Sequence, residues 1–268
     1  MKDQIKQFWD ERAERYSTQP AATTDDIHLR ELEIAMIVQT LRELTFPQGA
    51  TILDIGCGNG YSTLRIAQDT AGTFWWGLDF SDKMTKSAQE QLALHPLLKD
   101  RVTFMTGDVT DLDSMCRLTQ FDAAITDRCL INLESKDSQR RAIRQIAKHV
   151  KQGGYWLAIE NFAEGHEKMN AARRAVGLED IPVRWHNLYF EEKEFLQMAS
   201  PFFEDILFRD FASSYYFATR VIYAAMCKIR NEAIDYSHAI HQLAPLLPCV
   251  GQFSPVRMVL LRRQATQT

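Results

Sequence analysis

The stretch Ile52-Leu53-Asp54-Ile55-Gly56-Cys57-Gly58-Asn59-Gly60-Tyr61 decides how this chain is read. Thr51 to Ile55 is an apolar run of strand length, the three glycines at spacing two demand a tight turn, and Ser62 to Gln68 reads as a helix. A strand, a glycine turn and a helix N-terminus in that order make a ligand site, because the unpaired amides of the first helical turn face whatever lies over the turn. Working outward, Thr73-Phe74-Trp75-Trp76-Gly77-Leu78 is a second apolar run, closed by Asp79, 23 residues beyond Gly56. A carboxylate at such a strand end can accept hydrogen bonds from both hydroxyls of a ribose. A nicotinamide site would share that acid. The glycines argue against one: a pyrophosphate calls for G-x-G-x-x-G, whereas the order here is D-x-G-x-G-x-G. Asp54, ahead of the first glycine, would repel a pyrophosphate and suit an ammonium group. The residues therefore point to an adenosine ligand.

At these positions the chain resembles the class I S-adenosylmethionine-dependent methyltransferases. Asp54 to Gly60 resembles the family's first motif, and Asp79 matches the ribose-binding acid that closes the second strand. Gly107-Asp108-Val109 matches the adenine-binding end of the third strand, and Phe121-Asp122-Ala123-Ala124-Ile125-Thr126-Asp127 looks like the fourth, which leads into the reaction site. Lys151-Gln152-Gly153-Gly154 before Tyr155-Trp156-Leu157-Ala158-Ile159 is similar to the following turn and fifth strand. The resemblance covers roughly residues 50 to 160 and weakens on both sides. It implies S-adenosyl-L-methionine as cofactor and S-adenosyl-L-homocysteine as its product. The contacts it implies are Tyr16, Asp54, Gly56, Gly58, Asn59, Gly60, Asp79, Phe80, Met84, Gly107, Asp108, Val109 and Asp127.

The spacing of elements gives an α/β fold. Two helical segments, Asp3 to Tyr16 and Asp26 to Leu44, are separated by Ser17-Thr18-Gln19-Pro20 and Thr23-Thr24-Asp25. From residue 50, strands at 50–55, 73–79, 101–106, 121–126 and 154–160 alternate with helices at 61–69, 82–95, 111–118 and 137–150. Such alternation predicts a doubly wound, mostly parallel sheet. Beyond residue 160 come helices at Glu164 to Arg174 and Glu191 to Ala199, a strand at Glu204 to Phe211 and an aromatic-rich segment from Ser213 to Arg230. Val256 to Leu261 is a last strand. The resemblance makes this last strand the antiparallel member of a seven-stranded sheet, with N-terminal helices and a lid made of insertions. The expected organisation is a single domain, 1–268, with a helical cap at 1–48, a cofactor-binding core at 50–160 and substrate-side insertions at 162–190 and 212–254. The N-terminal helix resembles one that folds over the cofactor in such enzymes, with Tyr16 closing the site.

At 268 residues, 46% hydrophobic and 25% charged, the composition is that of an ordinary globular protein. No apolar run approaches the ~18 residues of a membrane span, and Met1 to Lys6 lacks the apolar centre of a secretion signal, so the cytoplasm is expected. A net charge of −4 offers nucleic acid no general attraction, and the pairs Arg140-Arg141, Arg173-Arg174 and Arg262-Arg263 are short enough to be solvated faces. Cys57, Cys116, Cys129, Cys227 and Cys249 show no C-x-x-C spacing and read as buried reduced thiols rather than a zinc site or disulfide framework.

Methyl transfer from a sulfonium requires alignment of donor and acceptor and exclusion of water, and a base only where the acceptor must lose a proton. The candidates lie at strand ends and in the insertions. His186 in Arg184-Trp185-His186-Asn187 is the preferred base or orienting group, with Asp127, Arg128 and Tyr216 as the other catalytic candidates. Asn132 and His166 are further polar groups there. Arg128 and Arg184 could grip a carboxylate or phosphate through a planar fork, or be spent on acids such as Glu134 or Glu160. Trp185, Tyr215, Tyr216 and Phe217 would build an aromatic wall. Asp127, Glu160 and Asn161 resemble the arrangement that holds magnesium in catechol-type enzymes, yet a metal-free site is expected. After Asp127 the chain lacks the Asn/Asp-Pro-Pro-aromatic signature of base methylation, which disfavours nucleic acid. The expected function is methylation of a small polar molecule at oxygen or nitrogen by a monomer or homodimer. The alternatives are a protein or RNA methyltransferase and a catalytically inactive cofactor-binding partner subunit.

Overall fold

The computed structural model describes residues 1–115 and 120–265. Its elements are α1 (Lys2–Tyr16), α2 (Ile27–Leu44), β1 (Thr51–Ile55), α3 (Tyr61–Asp69), β2 (Phe74–Asp79), α4 (Asp82–Ala93), β3 (Val102–Thr106), α5 (Leu112–Met115), β4 (Phe121–Asp127), α6 (Lys136–His149), β5 (Val150–Asn161), α7 (Ala163–Ala175), α8 (Glu192–Ala199), β6 (Phe203–Arg209), α9 (Ser213–Tyr216), α10 (Ala224–Arg230), α11 (Ile240–Leu243) and β7 (Val256–Arg263). The strands form one seven-stranded sheet in the order β3-β2-β1-β4-β5-β7-β6. β1 is parallel to β2 and β4, and β7 runs antiparallel between β5 and β6. The α/β fold with an antiparallel last strand thus stands as the sequence predicts.

Alternation along each strand sends side chains to two cores. Ile52, Trp75, Ile125 and Leu157 pack with α2, α3 and α4, while Leu53, Ile55, Ala124 and Trp156 pack with α6 and α8. The two buried indoles keep their N–H satisfied, Trp75 donating to Thr73 Oγ1 at 2.8 Å and Trp156 to Thr126 Oγ1 at 3.2 Å. Helix starts are fixed locally. Asp26 accepts from the amide of Leu29, Ser81 from that of Met84 and Ser135 from that of Ser138.

Two elements differ from the sequence reading. β5 begins at Val150, not at 154, and Lys151 to Gly154 is a bulge: Phe121 pairs with Val150 and Ala123 with Tyr155, so three extra residues leave the ladder. The aromatic segment is one continuous helical run in which Phe217–Tyr223 widens to a π-helix, a geometry found often at functional sites. Part of the helix expected at 111–118, and Cys116, lie outside the described residues. Among the four other cysteines, Cys57 and Cys227 are buried free thiols, Cys129 is half-buried and Cys249 is exposed, so burial does not extend to all of them. No helix among the described residues is long and apolar enough to cross a membrane.

Candidate active site

The carboxyl ends of β1, β2, β3 and β4 converge on a cavity of about 750 Å³. Its floor is the glycine turn. Gly56 and Gly58 have φ of +79° and +54°, a region that side chains with a Cβ disfavour. A Cβ on Gly56 would lie 2.7 Å from Cys129 Sγ, and one on Gly58 would collide with Thr23 Cγ2. The chain therefore passes under its N-terminal segment at a distance only glycine permits.

Asp79 anchors this floor. It is buried, and its two oxygens accept from the amides of Gly58 and Ser81, each at 2.9 Å. Each oxygen keeps acceptor capacity for a further donor. Burial pushes its pKa up to about 6, against the pull of the Ser81 and Gly58 amides. Asp54 is pushed up to about 7 by the same burial, opposed by the Thr63 hydroxyl at 2.5 Å. Burial also raises Asp108, but the Lys2 ammonium at 2.5 Å and the Thr110 amide outweigh it and hold the carboxyl below its ordinary range.

Of the residues the family resemblance assigns to the cofactor, Asp54, Gly56, Gly58, Asp79, Phe80 and Met84 line the cavity, as do Gly107, Asp108, Val109 and Asp127. Tyr16, Asn59 and Gly60 do not line it. Tyr16 packs with Ala13, Ala22 and Met84, while Lys2, Ile5 and Trp9 earlier on the same helix reach the cavity. Asn59 is a tether: its amide donates to the carbonyls of Ser17 and Gln19 at 3.0 and 2.9 Å, which holds the segment after α1 over the turn. Gly60 is packed beneath Phe104 and Ala88.

The reaction side follows β4. Asp127, Arg128, His186 and Tyr216 all line the cavity, together with Asn132, Asn161, His166 and Arg184. Arg128 has φ of +51°, a strained conformation for a residue that carries a Cβ, which surrounding contacts must hold. Its amide donates to Ile159 O at 2.7 Å, and Glu33 of α2, fully buried, accepts from its Nη2 at 3.1 Å and lies at ion-pair distance, 2.9 Å, from its Nε. Burial pushes the Glu33 carboxyl up while the Arg128 guanidinium opposes it, in a buried ion pair with one hydrogen bond between its members. Beside it, Asp26 accepts from Tyr215 Oη at 2.6 Å and from Arg220 Nη2 at 2.5 Å. The partners in these three contacts lie 95, 189 and 194 residues apart, so no local pattern in the sequence joins them.

Four readings need correction. His186 is stacked on Phe8 at 4.5 Å between ring centroids, and burial, with help from Arg184 and Arg12, lowers its pKa to about 4. It is a neutral imidazole near pH 7 and a weak base. Glu160 turns away from the cavity to accept from the amides of Leu130 and Ile131 at 3.1 and 3.3 Å, so it does not join Asp127 and Asn161. The aromatic wall shrinks to Tyr216, since Tyr215 is buried against Asp26, Phe217 packs on Phe253 and Trp185 is 58% exposed. Arg128 pairs with Glu33 rather than with Glu134 or Glu160.

Residues 52–154 match a family model described as a methyltransferase domain. The chain is 26% identical over 155 residues to the malonyl-[acyl-carrier protein] O-methyltransferase of Priestia megaterium, covering 55% of this chain and 53% of that one. It is 32% identical over 114 residues to the demethylmenaquinone methyltransferase of Desulfitobacterium hafniense, covering 42% of each. The chain thus spans about half the length of the curated relatives it matches. Magnesium protoporphyrin IX methyltransferase from Synechocystis PCC 6803, solved with bound SAH, superposes with a TM-score of 0.63 over 98% of this chain and 100% of that one, at 17% identity, a likeness of fold. Residues 52–154 thus match a methyltransferase domain, and the seven-stranded sheet that carries them shares the fold of a solved methyltransferase.

Proposed function

We propose that the protein is an S-adenosylmethionine-dependent methyltransferase that acts on a small polar molecule at oxygen or nitrogen. The observation that carries the reading is Asp79, a buried strand-end carboxylate tied to the amide of Gly58 and still able to accept two donors from a ribose. The other residues fit the same cofactor. Asp127 Oδ1 is buried without a hydrogen-bond partner and offers an acceptor to an ammonium group, while Met84, Val109 and Leu78 give apolar surface for an adenine. When bound, S-adenosylmethionine supplies an activated methyl carbon. The chain itself has to orient the acceptor and keep water out, and α1, the segment 181–189 and the π-helix all contribute to the cavity wall.

The groups on the reaction side favour an acceptor that brings its own lone pair. Burial lowers His186, to about 4, and His166, and raises Tyr216 and Tyr189, which makes the imidazoles weaker bases and the phenols weaker acids. A cavity of about 750 Å³ is of the size that holds a cofactor with a small partner, which supports a small molecule over a polymer. The net charge of −4 likewise argues against nucleic acid, and the same reading puts the enzyme in the cytoplasm as a single-domain monomer or homodimer. The test is transfer of label from methyl-labelled S-adenosylmethionine, offered in parallel a deproteinised small-molecule extract, total protein and total RNA. Label in the small-molecule fraction is expected. Label confined to protein or RNA, or turnover with none of the three, would contradict the proposal.

A further inference from the structure

We infer that the methyl acceptor is an organic anion, held by its oxyanion group against the arginines of the insertion side of the cavity. This rests on the methyltransferase reading and specifies its substrate class. Both signs of charge line the cavity. Asp54, Asp79, Asp108 and Asp127 lie at the strand ends, with Lys2 on Asp108, and Arg30, Arg128, Arg173, Arg184 and Arg220 line the remaining wall with Asp25, Asp26 and Glu134. Two of these five are already neutralised, Arg128 by Glu33 and Arg220 by Asp26. Asp25, another acid of that wall, is taken by Arg12 at 2.8 Å. No carboxylate lies within ion-pair distance of Arg30, Arg173 or Arg184 among the described residues.

The three differ in what they have left to give. Arg30 is spent on neutral oxygens, donating to Pro20 O and Thr23 Oγ1. Arg173 of α7 donates to the carbonyls of Glu179, at 2.8 Å, and Arg220. Its Nη2 makes no bond among the described residues. Arg184 is exposed, and its guanidinium has no protein acceptor among them. A solvated arginine on an open surface would carry no such implication. This one lines the same cavity as Arg173, His166 and Tyr216, where a neutral or cationic acceptor would meet uncompensated positive charge. A carboxylate or phosphate would instead take charged hydrogen bonds from a planar fork.

The test uses the full chain saturated with S-adenosylhomocysteine, whose own binding is measured first by calorimetry. If it does not bind, the methyltransferase reading fails and the inference with it. If it binds, ligand-detected NMR follows on matched triplets of one carbon skeleton each, as carboxylic acid, primary amide and phosphate monoester. The expected result is that one of the two anion series binds at least about tenfold better than the amides, the better series naming the oxyanion. Arg184→Gln, an exposed site whose replacement leaves the core intact, erases most of that preference, and Arg173→Gln weakens it. Amides that match the anions, or a panel in which nothing binds the S-adenosylhomocysteine complex, would overturn the inference while the methyltransferase reading stands. A preference for anions that survives both substitutions would overturn the assignment to this wall.

Discussion

Replacing Glu33 by glutamine isolates the pair that holds the reaction side of the cavity. Glu33 is fully buried; its Oε2 accepts from Nη2 of Arg128 at 3.1 Å, and its Oε1 lies 2.9 Å from Nε. Removing one member of a buried pair strands the other, at a cost of about 3–5 kcal/mol. Here the lower end applies, because the Arg128 side chain keeps 24% exposure and has Asp127 at 3.8 Å as a second counter-charge. Unfolding entropy of about 2.1 cal/mol/K per residue turns ~3 kcal/mol into a fall in melting temperature of ~5 °C for a chain of this size. The assay is thermal and denaturant unfolding of Glu33→Gln, Arg128→Gln and the double variant. Since the two side chains answer each other, the double variant is expected to cost little more than either single one, a coupling of about 2–3 kcal/mol. Costs that add to within about 0.5 kcal/mol would refute the argument, because independent sites behave that way.

Cofactor affinity should follow the ionisation of Asp79. A folded carboxyl raised to about 6 keeps a proton that the unfolded chain has released, so its contribution to stability is present at low pH and lost as pH rises through about 6. Binding has the opposite sign, since ribose hydroxyls need the carboxylate: calorimetric affinity should be level from pH 7 to 8 and fall toward about tenfold per unit below 6, and an affinity that climbs on acidification would count against the assignment. Gly58→Val should abolish S-adenosylhomocysteine binding, as its Cβ would strike Thr23 at a φ of +54°. Wild-type affinity in that variant would mean the turn does not approach the ligand. Turnover should survive excess chelator, because Glu160 is occupied by the Leu130 and Ile131 amides, and loss of activity restored by magnesium would reverse that conclusion.

The parts of the site that sequence makes legible are those built from neighbouring residues. Asp54, the glycine turn and Asp79 belong to the consecutive elements β1, α3 and β2, and their spacing follows from the lengths of those elements. The pairing of Arg128 with Glu33 joins a strand end to a helix far upstream, and no local pattern distinguishes Glu33 from the other acids of α2. Position along the helix explains the misplacement of Tyr16. It shares a face with Lys2, Ile5 and Trp9 but sits two turns past Trp9, about 10 Å along the axis and beyond the cavity. His186 shows a different limit. Its residue type is visible in sequence, but its low pKa comes first from burial, to which Phe8, 178 residues earlier and stacked on the ring, contributes, and then from Arg184 and Arg12. The bulge in β5 escaped because Lys151-Gln152-Gly153-Gly154 has the composition of a turn, and only the pairing of Val150 with Phe121 makes it part of a strand.

The central claim is that the glycine turn and Asp79 hold an S-adenosyl cofactor, and calorimetric titration of the purified chain at pH 7.5 tests it most directly. Titrated in turn with S-adenosylhomocysteine and with NAD, the wild-type chain should bind the first at one site and show no saturable heat with the second. Asp79→Asn, still folded, should bind it at least about tenfold more weakly, the loss of a charged hydrogen bond. Tighter binding of NAD, no binding of S-adenosylhomocysteine, or unchanged affinity in folded Asp79→Asn would contradict the account.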